Sequence, residues 1–251
     1  MSGLKRRLGP VSIPGLAAVF VILAMAGCSS IGWMRLHGAG AAPEQRTDIS
    51  WWYASFKINW PQDEDPALDT DLLIAHRIIS PVLDRYGKDI LLWRFHRRAV
   101  RDEAGHRFSF IFYTTAATAR KIYAAIDSSP VLEQMRAEGV VLRVLFDDTN
   151  ANGRPGIEST SDRNWSAPLQ KAWPYFIMGV SETWLDLISQ YAEDGRSKPV
   201  SPAEMRAFYR EINQEVESTW KNEGGHAFLH HLNALFGYGP VNVRSKTEMR
   251  F

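Results

Sequence analysis

Residues 91–112 read LLWRFHRRAVRDEAGHRFSFIF. Leu91, Trp93 and Phe95 alternate with Arg94, His96 and Arg98; beyond the polar turn at 101–105, Phe108, Phe110 and Phe112 alternate with Arg107, Ser109 and Ile111. Successive side chains of a strand point to opposite faces, so two alternating runs joined by a short polar turn predict an antiparallel hairpin. One of its faces is aromatic and the other carries cations.

The flanking segments extend this hairpin into a sheet. Upstream, Trp52, Ala54, Phe56, Ile58 and Trp60 share one face of an alternating run and Trp51, Tyr53, Ser55, Lys57 and Asn59 the other, with Pro61 as a stop. An acid-rich stretch, 63–71, then leads into a helix on which Leu72, Ala75, Ile79, Val82 and Tyr86 recur at helical spacing; Gly87 ends it and Pro81 predicts a kink. Downstream, 116–126 reads as a helix, Ser129 and Pro130 open a short helix ending at Gly139, and 140–147 reads as a fourth strand. The order strand, helix, strand, strand, helix, strand predicts an α+β fold of the ferredoxin-like kind over 50–147, with both helices on one face of an antiparallel sheet. Trp52, Phe56, Trp93, Phe95, Phe108, Phe110, Leu142, Val144 and Phe146 are expected to face them.

The remainder, 148–251, reads as a long polar loop and C-terminal helices packing on that domain. Ile177, Val180, Trp184, Leu187 and Tyr191 form one stripe after Pro174. Ser201, Pro202 and Glu204 form a capping box whose helix is lined by Met205, Phe208, Ile212 and Thr219. Gly224 and Gly225 break it before a last short helix over 226–236. These helices either cover the open sheet face or make a lobe of their own.

The N-terminus gives an address. Lys5, Arg6 and Arg7 precede an apolar run of 11 residues from Leu16 to Ala26, then Gly27 and Cys28. The run suits a signal peptide and is short for a membrane span. Small residues before the only cysteine of the chain resemble a bacterial lipobox, with Met25 where Leu is usual. The expectation is cleavage after residue 27, lipidation of Cys28, palmitate among the acyl groups, and a tether over 28–49. Ser29 after the cysteine resembles the pattern sent to the outer membrane, facing the periplasm. Without the first 27 residues, 224 remain with a side-chain charge of −2, which gives no global footprint for nucleic acid.

Three constellations could carry chemistry. By parity, Arg94, His96, Arg98, Arg107 and Arg143 share the open sheet face with Trp51, Tyr53 and Tyr113, a surface for anions or stacked rings, or equally a solvated face. Asp148, Asn150 and Asn152 alternate before Gly153 as in the first half of a calcium loop. There Ser159 stands at the twelfth position, Glu158 one residue early and Pro155 at the eighth, and an Asx-rich turn is the alternative. His226 and His230, four apart with Glu223 near, share a helical face as metal ligands do, but opposite the stripe Phe228, Leu232, Leu235 and Phe236, as a solvated face would be. No G-x-S-x-G, P-loop or dinucleotide fingerprint occurs.

Asp71-Leu-Leu73 with Pro81-Val-Leu83, Leu92-Trp-Arg-Phe95, Gly105-His-Arg-Phe-Ser-Phe110, and Leu132 with Gly139-Val140 resemble, in this order over residues 50–190, the thiopeptide-type bacteriocin biosynthesis domain, the elimination module of lanthipeptide dehydratases. By resemblance Arg94, His106 and Arg107 match that family's reactive-site motif. The Glu-Arg-Tyr-Gly-Gly-like stretch of the family has no counterpart, and an exported address conflicts with its cytosolic peptide substrates. The resemblance therefore implies the fold rather than the chemistry. The expectation is a membrane-anchored, non-enzymatic binding or assembly module for a protein partner or anionic ligand. The alternative is an elimination-domain-like enzyme whose Arg/His face acts on an anionic or peptide substrate.

Overall fold

In the computed structural model, which describes residues 49–150, 156–194 and 201–239, four strands form one open antiparallel sheet in the order β2-β3-β1-β4. They are β1 (Ile49–Ile58), β2 (Leu92–Ala99), β3 (His106–Thr115) and β4 (Val141–Phe146). Cys28 and Asn152 lie outside the described residues. The expected hairpin is β2–β3, with Trp93 opposite Phe112 and Phe95 opposite Phe110. β1 sits between β3 and β4, and the aromatic centre lies on β1 and β3: Phe56 of β1 and Phe108, Phe110 and Phe112 of β3 are fully buried. Fully burying each such side chain stabilises by roughly 1.5–3 kcal/mol.

The helices lie on the aromatic face. α1 (Leu68–Ile74) and α2 (Ser80–Tyr86) are joined by a π turn over Ala75–Ile79. Pro81 has no N–H to donate, and the helix adjusts just ahead of it: the Ser80 N–H reaches back five residues to the Ala75 carbonyl. α3 (Ala116–Asp127) is capped by Thr115, α4 (Pro130–Ala137) by Ser129, and Gly139, at φ +67°, makes the left-handed step into β4.

One expected core residue is misplaced. Leu142 is 54% exposed, and Val141, at 1%, takes the inward position. The register between β1 and β4 shifts at Lys57/Ile58, so a bulge breaks strict alternation at the start of β4. Val144 and Phe146 do pack on the core.

The C-terminal helices extend the helical layer, while on the opposite face Tyr53, His96 and Arg143 remain exposed. α5 (Ala167–Glu193) begins seven residues before Pro174, which lies inside it, instead of starting beyond that proline. It runs along the edge strand β2, where Ser181 Oγ accepts the Phe95 N–H (3.0 Å), and its Trp184 packs on Phe95 and Phe108. Covering an edge in this way satisfies backbone groups that would otherwise invite another strand. α6 (Pro202–Asn222) carries the expected capping box and buries Tyr209, Ile212 and Val216. A π turn (Gly225–His230) and α7 (His231–Leu235) follow. Their apolar stripe packs on nothing in the core: Leu235 and Phe236 are among the most exposed large side chains. No helix among the described residues is long and apolar enough to cross a membrane.

Candidate functional site

The strand register arranges the open face as a ladder of four rungs. At one end Leu92, Tyr113 and Trp51 share a rung, followed by Arg94, Ile111 and Tyr53. This end is covered by the segment leading into α5: Trp51 Nε1 donates to the Ile157 carbonyl (3.1 Å) and Arg94 Nε to Thr160 Oγ1 (2.8 Å). Burial pushes the Arg94 guanidinium pKa down. Arg94 is thereby removed from the exposed group in which parity placed it.

The third rung is His96, Ser109, Ser55 and Leu145, with Ser109 Oγ donating to Ser55 Oγ (3.0 Å). Loss of water on the sheet side of the ring, then the flanking Arg94 and Arg98 charges, lower the His96 pKa.

The last rung holds four cations side by side: Arg98 opposite Arg107, Arg107 opposite Lys57, and Lys57 opposite Arg143. Like charges directly opposite one another in a sheet are destabilising. Among the described residues only Arg98 of the four has an ion-pair partner, Asp102, in the β2–β3 turn. That pairing, with the Gly105 N–H, holds the Asp102 carboxyl down at about 2. Arg107 Nε and Lys57 Nζ donate to the carbonyls of Ala104 (3.0 Å) and Glu103 (3.3 Å), contacts that leave their charges uncompensated. Arg143 stands exposed on β4. Parity puts Lys57 on this face with Trp51 and Tyr53, but only the register shows that it sits between Arg107 and Arg143, at the matching position of β1.

Below this rung, at the end of the sheet, is a cleft of about 430 Å³ lined by Lys57, Trp60, Arg101, Asp102, His106 and Leu142 among others. The Arg101 guanidinium stacks 3.5 Å from the Trp60 ring centroid. His106 belongs to the opposite, helix-facing side. Its Nε2 is 2.9 Å from Asp71 Oδ1 and both side chains are fully buried; Arg97 Nε donates to Asp71 Oδ2 (2.8 Å) and Nη2 to the Leu68 carbonyl (3.0 Å). His106 Nδ1 is buried without a hydrogen-bond partner. Arg94, His106 and Arg107, matched by resemblance to one reactive motif, are thus not brought together: His106 is on one face, the other two are on the opposite face, and Arg94 is tied to Thr160.

Of the remaining expected groups, Asp148 Oδ1 accepts the Asn150 N–H (2.9 Å), as in an Asx turn. His226 and His230 do converge, their third neighbour being His231 instead of Glu223. Comparison with family models, curated proteins and solved structures returns no match, so the reading of the site rests on its own residues.

Proposed function

We propose that this chain is a lipid-anchored protein of the bacterial cell envelope, held at the outer membrane through Cys28 and facing the periplasm, and that it works without catalysis as a binding or assembly module. Its cationic sheet end takes an anionic group, a phosphate or carboxylate, presented by a ligand or a protein partner. The observation that carries this reading is the row Arg98, Arg107, Lys57 and Arg143, three like-charged cross-strand pairs with one acid among them. Such a row costs stability in the free protein, and an anion bridging two guanidinium groups turns that cost into affinity. The exposed Arg143 and the flat, open rung suit a docking surface more than an enclosed reaction chamber.

The scaffold reading that goes with it is a ferredoxin-like split βαβ. The strand order β2-β3-β1-β4 supports it, as do helices between β1 and β2 and between β3 and β4 that pack on one face.

Two experiments test the proposal. In 1H–15N spectra, tripolyphosphate is expected to shift the amides of residues 57, 98, 107 and 143 and their neighbours; shifts elsewhere, or none at millimolar concentration, would overturn it. Cys28→Ser is expected to release the chain from membranes, and retention through a high-salt wash would contradict the anchor.

A second reading is favoured by one observation: a buried Asp71 carboxylate holds Nε2 of His106 while Nδ1, on a residue that lines the cleft, is left without a partner. With the ring proton on Nε2 and donated to Asp71, Nδ1 presents a lone pair, the arrangement of a general base once the cleft opens to it, since the side chain is fully buried as it stands. Turnover of any anionic substrate that vanishes in His106→Gln, with binding retained, would favour this reading over the first.

A further inference from the structure

The described C-terminal segment ends in a feature independent of the sheet. The ligand-capable nitrogens of His226, His230 and His231 all lie within 4.8 Å of one another, and all three residues are exposed. We infer that these three imidazoles form a binding site for one divalent late transition-metal ion of the Zn2+ or Cu2+ type.

The local backbone explains why three histidines meet where α-helical spacing brings only two together. In an α-helix, residues five apart lie roughly 140° apart around the axis, so His231 would point away from His226. The turn over Gly225–His230 is instead a π turn, whose i→i+5 bonding stacks residue i+5 above residue i. His226, His230 and His231 then share one face, with ring centroids 5.2 to 5.3 Å apart. The turn is fixed by packing from α6. Trp220 lies over Gly224, where an added Cβ would sit 2.7 Å from the indole, and it stacks on Phe228 at 6.2 Å and 17°.

Hydrogen bonding prepares one ligand as well. His231 Nδ1 is 3.1 Å from the His226 carbonyl. An N–H donated to that oxygen puts the proton on Nδ1 and leaves Nε2 unprotonated for a metal, the outer contact that metal-binding histidines commonly make. On a tetrahedral ion with Zn–N bonds of about 2.0–2.1 Å, ligand nitrogens stand about 3.4 Å apart. From separations within 4.8 Å the imidazole nitrogens need close by at most about 1.4 Å, and exposed side chains can rotate that far. Three nitrogens leave one tetrahedral position open, and because the face is exposed that position is available to water or to a donor from a partner.

The test is a titration of the purified full chain with Cu2+ and with Zn2+ alone, followed by calorimetry and, for Cu2+, electron paramagnetic resonance. The expected result is one ion per chain at micromolar affinity or tighter, with nitrogen hyperfine coupling from three imidazoles. His226→Gln, His230→Gln and His231→Gln should each weaken binding at least tenfold with unchanged circular dichroism and melting temperature. Absence of a one-to-one site, or binding that persists in the triple variant, would overturn the inference. A His231→Gln variant with full affinity would also overturn it, because the π turn would then contribute nothing.

Discussion

Asp71→Ala removes the one acid that the buried His106 and the half-buried Arg97 share. It strands His106, which has no solvent exposure and whose Nδ1 already lacks a partner, and it leaves Arg97 with only the Leu68 carbonyl and the Trp184 ring, 5.0 Å from its guanidinium carbon. Breaking one member of a buried pair costs about 3–5 kcal/mol. The Arg97 side chain is 31% exposed and can recover some hydration, which favours the lower end, about 3 kcal/mol. The lost His106 bond adds about 1 kcal/mol. A loss of about 4 kcal/mol is a large part of a 5–15 kcal/mol total and should lower Tm by about 8–16 °C at this chain length. The assay is urea and thermal unfolding of the full chain in a double-mutant cycle with Arg97→Met. Because the Asp71–Arg97 pair can be lost only once, the double variant should be less destabilised than the sum of the singles by about 1–3 kcal/mol. A single-variant cost below about 1 kcal/mol, or additive costs, would refute the claim that this network ties α1 to the hairpin.

Three further outcomes follow from particular contacts. Ser181→Ala leaves the buried Phe95 N–H of the edge strand without its acceptor and should cost about 1–3 kcal/mol in urea unfolding, whereas Ser181→Thr should recover part of that. The Asp102 carboxyl should titrate at about 2 by 13C resonance, because Arg98 and the turn amides hold it ionised. Its share of stability is then present above its unfolded value of about 3.9 and lost as pH falls towards 2, and Arg98→Gln should move the midpoint up. The His96 ring should titrate below its ordinary value, owing to partial burial and then Arg94 and Arg98. Stability therefore declines as pH falls through that ordinary value, where the unfolded chain takes a proton and the folded one does not; tripolyphosphate, by offsetting the cations, should raise the midpoint.

The hairpin, the aromatic core and most of the cationic face were legible because period-two alternation is a local property: Trp93, Phe95, Phe108 and Phe110 declare their side of the sheet without reference to any other segment. The bulge that turns Leu142 outward was not legible, since it arises from how β4 meets β1 at Lys57/Ile58. The Asp71 network left a signal that parity could have caught. Arg97 and His106 stand on the aromatic side of their strands, and a cation at a core position requires a buried acid. Which acid that was depended on the approach of α1, and Asp71 in sequence looked like the end of an acid-rich lead-in to the helix. The cationic rung required the register between three strand pairs, which placed Lys57 between Arg107 and Arg143. The histidine cluster required a π turn, and α-helical spacing leaves His231 on another face.

The most direct test of the cationic rung is the affinity of the full chain for tripolyphosphate, measured by calorimetry with and without the double substitution Arg107→Gln/Arg143→Gln. Arg143 is exposed and Arg107 faces like charges on both sides, so removing both should leave Tm unchanged or slightly raised, since like charges directly opposite one another in a sheet are destabilising. The account predicts that binding weakens at least tenfold in the variant and that wild-type affinity falls steeply with added salt. Undiminished affinity in a variant that melts normally would contradict it.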